Sequence, residues 1–423
     1  MYQYLTDDQI RKNYEAAKAA YALVGVDADA AVKAAAAVPL SLHCWQGDDV
    51  TGFEKATDGL TGGIMATGNH PGKAQNPEQL RADLEVAASL IPGTKKVNIH
   101  ALYAETEGKK VPRDEVGPEH FTKWMAWAKK KKLGLDFNPS FFSHPLAEAG
   151  TLSHPDKKIR EFWIRNGVQS RRIATAMGQA TGTPAVNNVW IPDGSKDLPA
   201  DRLSPRLRLR DSLDAVFAEP ADPKRLIDAV ECKLFGIGSE AYVVGSHEFY
   251  TAYAVQKQIT LCLDMGHFHP TETIADKIPG LLPFVPGLLL HVSRGVRWDS
   301  DHVVIYNDEV QAVFQEIHRS GAWKKVSVAL DFFDASINRI MAWTVGARSA
   351  RKAMLAAFLE PVKLLKDEEK AGRFGARLAL MEEVKNLPLA AVWDQLCLAQ
   401  GVPPGMNWLN VSDQYEKDVL LKR

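Results

Sequence analysis

Between residues 264 and 301 the chain gathers groups that can hold a metal ion. The apolar run Ile259–Leu263 stops at Asp264, and His267 follows three residues on. A second run, Leu288–Leu290, stops at His291, and Asp299 and Asp301 come next in the stretch WDSDH. Carboxylate oxygens mixed with imidazole nitrogens suit borderline-hard divalent ions such as manganese, cobalt or zinc. Asp-x-Asp spacing leaves both carboxylates on one side of an extended segment, because strand side chains alternate with period two. Each of these residues alone is ordinary at a strand end or in a loop; crowded into one short stretch, they point to a metal site.

Two more strand ends extend the set. Glu231 and Lys233 flank Cys232 at the end of another apolar run, so a carboxylate and an ammonium can enter one site, although the pair alone also reads as a strand-end salt bridge. Asp331 ends the run that starts at Val326, and Asp334 beyond it is the better helix N-cap. By spacing, Glu231, Asp264, His291 and Asp331 surround one ion at the strand ends. His267, Asp299 and Asp301 hold a second ion on loops above it, with Asp264 the candidate bridge. Two ions roughly 3.5–4 Å apart clamp a reacting pair of oxygens.

Such residues need a scaffold. Eight short apolar or β-branched runs recur: Val38–His43, Val97–His100, Leu133–Phe137, Ala185–Trp190, Ile227–Cys232, Ile259–Asp264, Leu288–Val292 and Val326–Asp331. Helix-like stretches such as Pro77–Leu90, Pro118–Lys132 and Asp156–Ala180 separate them. Strands alternating with helices predict a parallel sheet, and eight such units predict a closed α/β barrel of the (β/α)8, or TIM, type. A doubly wound open sheet is the alternative. The C-terminal ends of the runs carry the polar residues, His43, Trp45, His100, Asn138 and Trp190 among them, which is the end where such barrels keep their active sites.

An N-terminal amphipathic helix is expected over residues 6–25, with Thr6 and Gln9 at capping-box spacing and Ile10, Tyr14, Ala17, Tyr21 and Val24 in one stripe. The barrel domain is expected over residues 1–350, this helix included. Met354–Leu365, Arg373–Lys385 and Leu389–Gln400 predict a helical extension over 351–423 that wraps the barrel or a neighbouring subunit.

Composition excludes several function classes. A net charge of −1 leaves no electrostatic footprint for nucleic acid or anionic membrane. No apolar run is long enough to span a bilayer and no signal-peptide pattern opens the chain, so a cytoplasmic location is expected. Cys44, Cys232, Cys262 and Cys397 form no Cys-x-x-Cys pair and read as small buried thiols. Residues 68–74 fall short of a phosphate-binding loop, because the first glycine is one position too close and Ala74 lacks the hydroxyl that meets magnesium.

Eight segments together resemble the L-rhamnose isomerase family: His43–Asp49 (HCWQGDD), Leu135–Ser140 (LDFNPS), Val189–Gly194 (VWIPDG), Glu231–Gly238 (ECKLFGIG), Asp264–Pro270 (DMGHFHP), His291–Arg294 (HVSR), Arg297–His302 (RWDSDH) and Leu330–Asp334 (LDFFD). The resemblance runs from about residue 38 to the C-terminus. It implies a xylose-isomerase-like barrel, a homotetramer, that interconverts L-rhamnose and L-rhamnulose. It also implies two ions per subunit, manganese by preference, with Co2+, Zn2+ or Mg2+ able to substitute. Carried over by motif, His267, Asp299 and Asp301 bind the catalytic ion, and Glu231, Asp264, His291 and Asp331 the structural one. The wider barrel family often has a carboxylate where this chain has His291, and one fewer negative charge there alters metal preference.

An aldose–ketose isomerisation moves one hydrogen between C1 and C2 and one proton between their oxygens. The expected route is a metal-assisted hydride shift, with Lys233 donating to the carbonyl oxygen where negative charge develops. The competing route is a cis-enediol with Asp331 as base. His100 is expected to hydrogen-bond the sugar, and Trp45, Phe141 and Trp190 to offer apolar faces to its ring and deoxy carbon. The glycine-rich segment 47–72 is long enough to serve as a lid. Two rival readings are weaker. A hydrolase or abasic-site endonuclease on the same barrel wants a basic groove. A non-catalytic sugar-binding scaffold has no use for a second, open set of ligands.

Overall fold

The computed structural model describes residues 2–54, 66–233, 240–269, 271–296 and 301–423. Eight parallel strands close a barrel in chain order: β1 (Leu40–His43), β2 (Lys95–His100), β3 (Gly134–Asn138), β4 (Ala185–Val189), β5 (Leu226–Glu231), β6 (Thr260–Asp264), β7 (Leu288–Val292) and β8 (Val326–Leu330). The ring shuts where β1 pairs with β8, Leu40 opposite Val328 and Ser41 opposite Ala329. The eight apolar runs are these strands, and closure rules out the open sheet.

Each strand is apolar because it is buried on both faces, one toward the barrel interior and one toward the helices. Val186, Ala229, Cys262, Leu289 and Ala329 fill part of the interior. Around the ring run α3 (Pro77–Ser89), α4 (Thr122–Lys131), α5 (Lys157–Thr181), α6 (Ser204–Val216), α7 (His247–Lys257), α8 (Ile274–Leu281), α9 (Asp308–Arg319) and α10 (Arg339–Phe358). Their starts are legible in local chemistry. Asn76, Asp156, Asn307 and Asn338 each accept a backbone N–H at the head of a helix, and Pro77 occupies the first turn of α3.

The N-terminal helix α1 (Asp7–Ala22) has the expected capping box and buries Ile10, Tyr14, Ala17 and Tyr21. That stripe packs with α2 (Ala28–Ala37) onto α13 (Leu389–Ala399), forming a separate core of Tyr14, Tyr21, Ala31, Leu355, Val392 and Leu396. The two ends of the chain therefore brace each other. The helix expected from Met354 starts fifteen residues earlier, as α10, and runs through residue 350. Arg351 within it is fully buried and donates to the carbonyls of Ala35, Val38 and Thr94, tying α10 to the lead-in of β1 and β2. After Pro361 come α11 (Val362–Lys370), α12 (Phe374–Glu383) and, beyond α13, α14 (Asn407–Asp418). Among the described residues, no helix is long and apolar enough to cross a membrane.

Candidate metal centre

Four consecutive strands deliver the first donor group. Glu231 ends β5, Asp264 ends β6, His291 lies one residue before the end of β7, and Asp331 follows β8. Register sets them side by side, with Glu231 opposite Cys262 and Asp264 opposite His291. His291 Nδ1 lies 3.3 Å from Glu231 Oε2, 3.6 Å from Asp264 Oδ2 and 3.2 Å from Asp331 Oδ2. One donor atom from each of the four falls within 4.8 Å of all the others.

The carboxylates are held so that an oxygen faces inward. Asp264 Oδ1 accepts the Gly266 N–H at 2.7 Å and the Ser293 hydroxyl at 2.8 Å, which leaves Oδ2 turned to the centre. A Cβ on residue 266 would stand 2.9 Å from Ser293 Oγ and 3.3 Å from Asp264 Oδ1, so glycine permits this close approach. Asp331 Oδ1 accepts the Trp45 indole N–H at 3.0 Å, with Oδ2 toward His291. Asn188, inside β4, donates its amide to Glu231 Oε2. Asp264 Oδ2 and both nitrogens of His291 are buried and make no hydrogen bond. Buried polar atoms that converge without pairing are costly unless something sits among them. The donor set and these orphaned atoms fit a divalent ion.

Electrostatics agrees. Burial alone favours a neutral His291, yet Cys262 and Glu231, with the contacts to Asp264 and Asp331, hold it well above the usual imidazole range. Burial likewise raises Glu231, but His291 and His267 outweigh it and hold the carboxyl well below its usual range.

Asp264 belongs to a second group as well, with His267 and Asp301, their donor atoms again within 4.8 Å of one another. His267 Nδ1 lies 2.8 Å from the Cys232 carbonyl. Donation there fixes the tautomer and presents the Nε2 lone pair as a ligand. Nε2 is 3.8 Å from Asp264 Oδ2. Asp301 has a left-handed backbone, φ 38°, which Asp tolerates better than most residues. Asp299 lies outside the described residues.

Aromatic side chains wall the rest of the mouth. The Trp45 ring meets His100 edge-on at 4.6 Å and His43 at 5.3 Å. His100 also meets Phe142 at 5.3 Å, and Phe142 stacks on Trp190 at 5.6 Å. Lys233 Nζ sits 5.2 Å from the centre of the Trp190 ring. Phe141 points the other way, fully buried against Trp163. Phe142 occupies the place beside His100 and Trp190 for which Phe141 was expected, because consecutive residues after β3 face opposite sides. His100 Nδ1 is 3.3 Å from Ser140 Oγ, and burial pushes the ring down to about 4 against the pull of Asp331, so it is neutral at neutral pH. His43 is likewise lowered by burial to about 4.

The flanks of the glycine-rich segment 47–72 are anchored, Asp48 by the Tyr103 hydroxyl and both Asp49 and the His70 carbonyl by Arg339. Residues 55–65, the middle of the expected lid, lie outside the described residues. Trp45 as a donor to Asp331, Asn188 as a donor to Glu231, and Phe142 are partners that spacing did not reveal. Only Asn188 left a trace, as one of two asparagines inside an otherwise apolar run.

Fold and mouth together define a class: a (β/α)8 barrel that gathers acid and imidazole donors at the end where such barrels act as enzymes. The family model for L-rhamnose isomerase (RhaA) matches residues 8–423. The L-rhamnose isomerases of Salmonella paratyphi B and Salmonella heidelberg are each 55% identical over 416 residues, covering 98% of this chain and 99% of theirs. The chain belongs to the L-rhamnose isomerase family and is an isomerase. Among solved structures, an L-ribulose 3-epimerase has 12% identity and a TM-score of 0.48, covering 78% of this chain and 97% of its own; nothing rests on so slight a likeness.

Proposed function

We propose that the protein interconverts L-rhamnose and L-rhamnulose with two divalent ions per subunit, Mn2+ by preference and Co2+, Zn2+ or Mg2+ as substitutes. The observation that carries the reading is Asp264, shared between two donor groups at the barrel mouth. Family membership supplies the sugar. When bound, such ions act as Lewis acids on two neighbouring sugar oxygens.

The chain's own residues do the rest. Glu231, Asp264, His291 and Asp331 hold the structural ion, and His267, Asp299 and Asp301 the catalytic one. Lys233, braced over Trp190, donates from Nζ to the carbonyl oxygen as charge develops there. Neutral His100 hydrogen-bonds the sugar, and the faces of Trp45, Trp190 and Phe142 receive its apolar edge and exclude water. Hydrogen passes between C1 and C2 as hydride. What supports this route over an enediol is Asp331, the candidate base: Oδ1 is taken by Trp45 and Oδ2 faces His291, so both oxygens are already engaged.

L-rhamnose deuterated at C2 tests both parts in one incubation. L-rhamnulose carrying the label at C1 supports the proposal. Ketose that has lost the label to water moves the route to the enediol, and no ketose overturns the function.

The assembly is proposed to be a homotetramer in the cytoplasm. Four buried, reduced cysteines fit a reducing compartment. On α12, Phe374 and Leu378 are 58% and 59% exposed, an apolar face suited to another chain. Light scattering should give about four times the 46.6 kDa of one chain.

A further inference from the structure

Cys262 brings sulfur to the floor of the centre. It lies two positions before Asp264 on β6, hence on the same strand face, and opposite Glu231 in the β5–β6 register. The thiol is fully buried, with Val186, Ala229, Leu289 and Ala329 as its apolar neighbours. Donor atoms of Glu231, Cys262 and His291 all lie within 4.8 Å of one another. His291 is buried and neither of its nitrogens makes a hydrogen bond, so its ring can serve this group as well as the one above.

We propose that Glu231, Cys262 and His291 form a deeper, alternative seat for a thiophilic divalent cation such as Cd2+ or Zn2+. Soft cations favour thiolate, whereas manganese favours oxygen donors. Coordination exchanges the thiol proton, released to the buffer, for a metal–sulfur bond of about 2.3 Å in the case of zinc. An ion in this seat withdraws Glu231 and His291 from Asp264 and Asp331. A soft ion below and a hard ion in the oxygen-rich group therefore exclude each other, and Cys262 sets which ions compete for the centre. The inference rests on the proposed role of Glu231 and His291 as ion ligands.

The test is spectroscopic. Chelator-stripped full-length protein is titrated with Co2+ and separately with Cd2+, and near-ultraviolet absorption reports sulfur-to-metal charge transfer. Cys262→Ser and Cys262→Ala are titrated alongside Cys232→Ser, a control for the nearby thiol whose Sγ lies 3.7 Å from His247 Nδ1. A band present in the wild type, kept in Cys232→Ser and lost in both Cys262 variants, is the expected result. Cd2+ affinity should then fall about tenfold or more in those variants while Mn2+ affinity holds within about twofold. Binding without any charge-transfer band overturns the thiol seat while leaving Glu231 and His291 as ligands. A band that survives loss of Cys262 also overturns it, and no binding at all overturns both readings. Where one Cys262 variant fails to fold, the other is read against Cys232→Ser, and absence of the band in the wild type overturns the seat without any variant.

Discussion

Replacing Trp45 with phenylalanine removes one N–H and leaves an aromatic ring beside His43 and His100. That N–H donates at 3.0 Å to Asp331 Oδ1, and the indole is 2% exposed, so water has no ready way to take its place. A hydrogen bond to a buried charged group contributes about 1.5–3 kcal/mol. Loss of such a partner behind a metal ligand weakens ion binding about 10- to 100-fold. The structural ion should therefore bind more weakly by that factor in Trp45→Phe, as read by calorimetric titration of stripped protein with Mn2+. Thermal unfolding should show a separate cost of about 1–3 kcal/mol for the smaller ring. The double-mutant cycle isolates the bond: in an Asp331→Ala background, which has no acceptor for the indole N–H, Trp45→Phe should change ion affinity little. Wild-type affinity in Trp45→Phe, or an equal loss with and without Asp331, would refute the reasoning.

Other expectations follow from single contacts. His267→Ala should abolish L-rhamnose turnover while circular dichroism and the unfolding transition stay near wild type; full activity in it would sink the second ligand group. His100, lowered to about 4 by burial, stays neutral in the folded protein while the unfolded chain takes up a proton near 6.5, so its contribution to stability is present above about pH 6.5 and lost as pH falls to about 4. His100→Asn should lessen the slope of stability against pH in that window by about 1.4 kcal/mol per unit, and an unchanged slope would contradict the buried neutral ring. Arg351→Leu removes the guanidinium donor from the carbonyls of Ala35, Val38 and Thr94, of which Thr94 keeps the Leu40 N–H, and should cost about 3–5 kcal/mol in urea unfolding, whereas a loss below about 1 kcal/mol would mean that water replaces it.

The strands were legible because each apolar run stops at a polar residue, and that same punctuation located Glu231, Asp264, His291 and Asp331. What register adds is adjacency: no spacing along the chain says that Asp264 faces His291 or that Cys262 lies beside Glu231. Phe141 and Phe142 are adjacent in the loop after β3 and face opposite sides, so a shift of one residue in that loop decides which ring meets His100 and which meets Trp163. Trp45 read as a sugar-facing aromatic because its hydrogen-bond acceptor is 286 residues away in sequence. The start of α10 escaped notice because its first turns pack beneath the mouth: Trp343 is fully buried and donates to the His43 carbonyl, so the segment lacks an amphipathic stripe.

The most direct measurement is ketose formation from L-rhamnose by chelator-stripped protein, before and after manganese is restored. The account predicts that activity disappears on stripping and returns with the ion. Full activity in the stripped protein would contradict the metal centre, and inactivity on L-rhamnose with manganese present would contradict the proposed substrate.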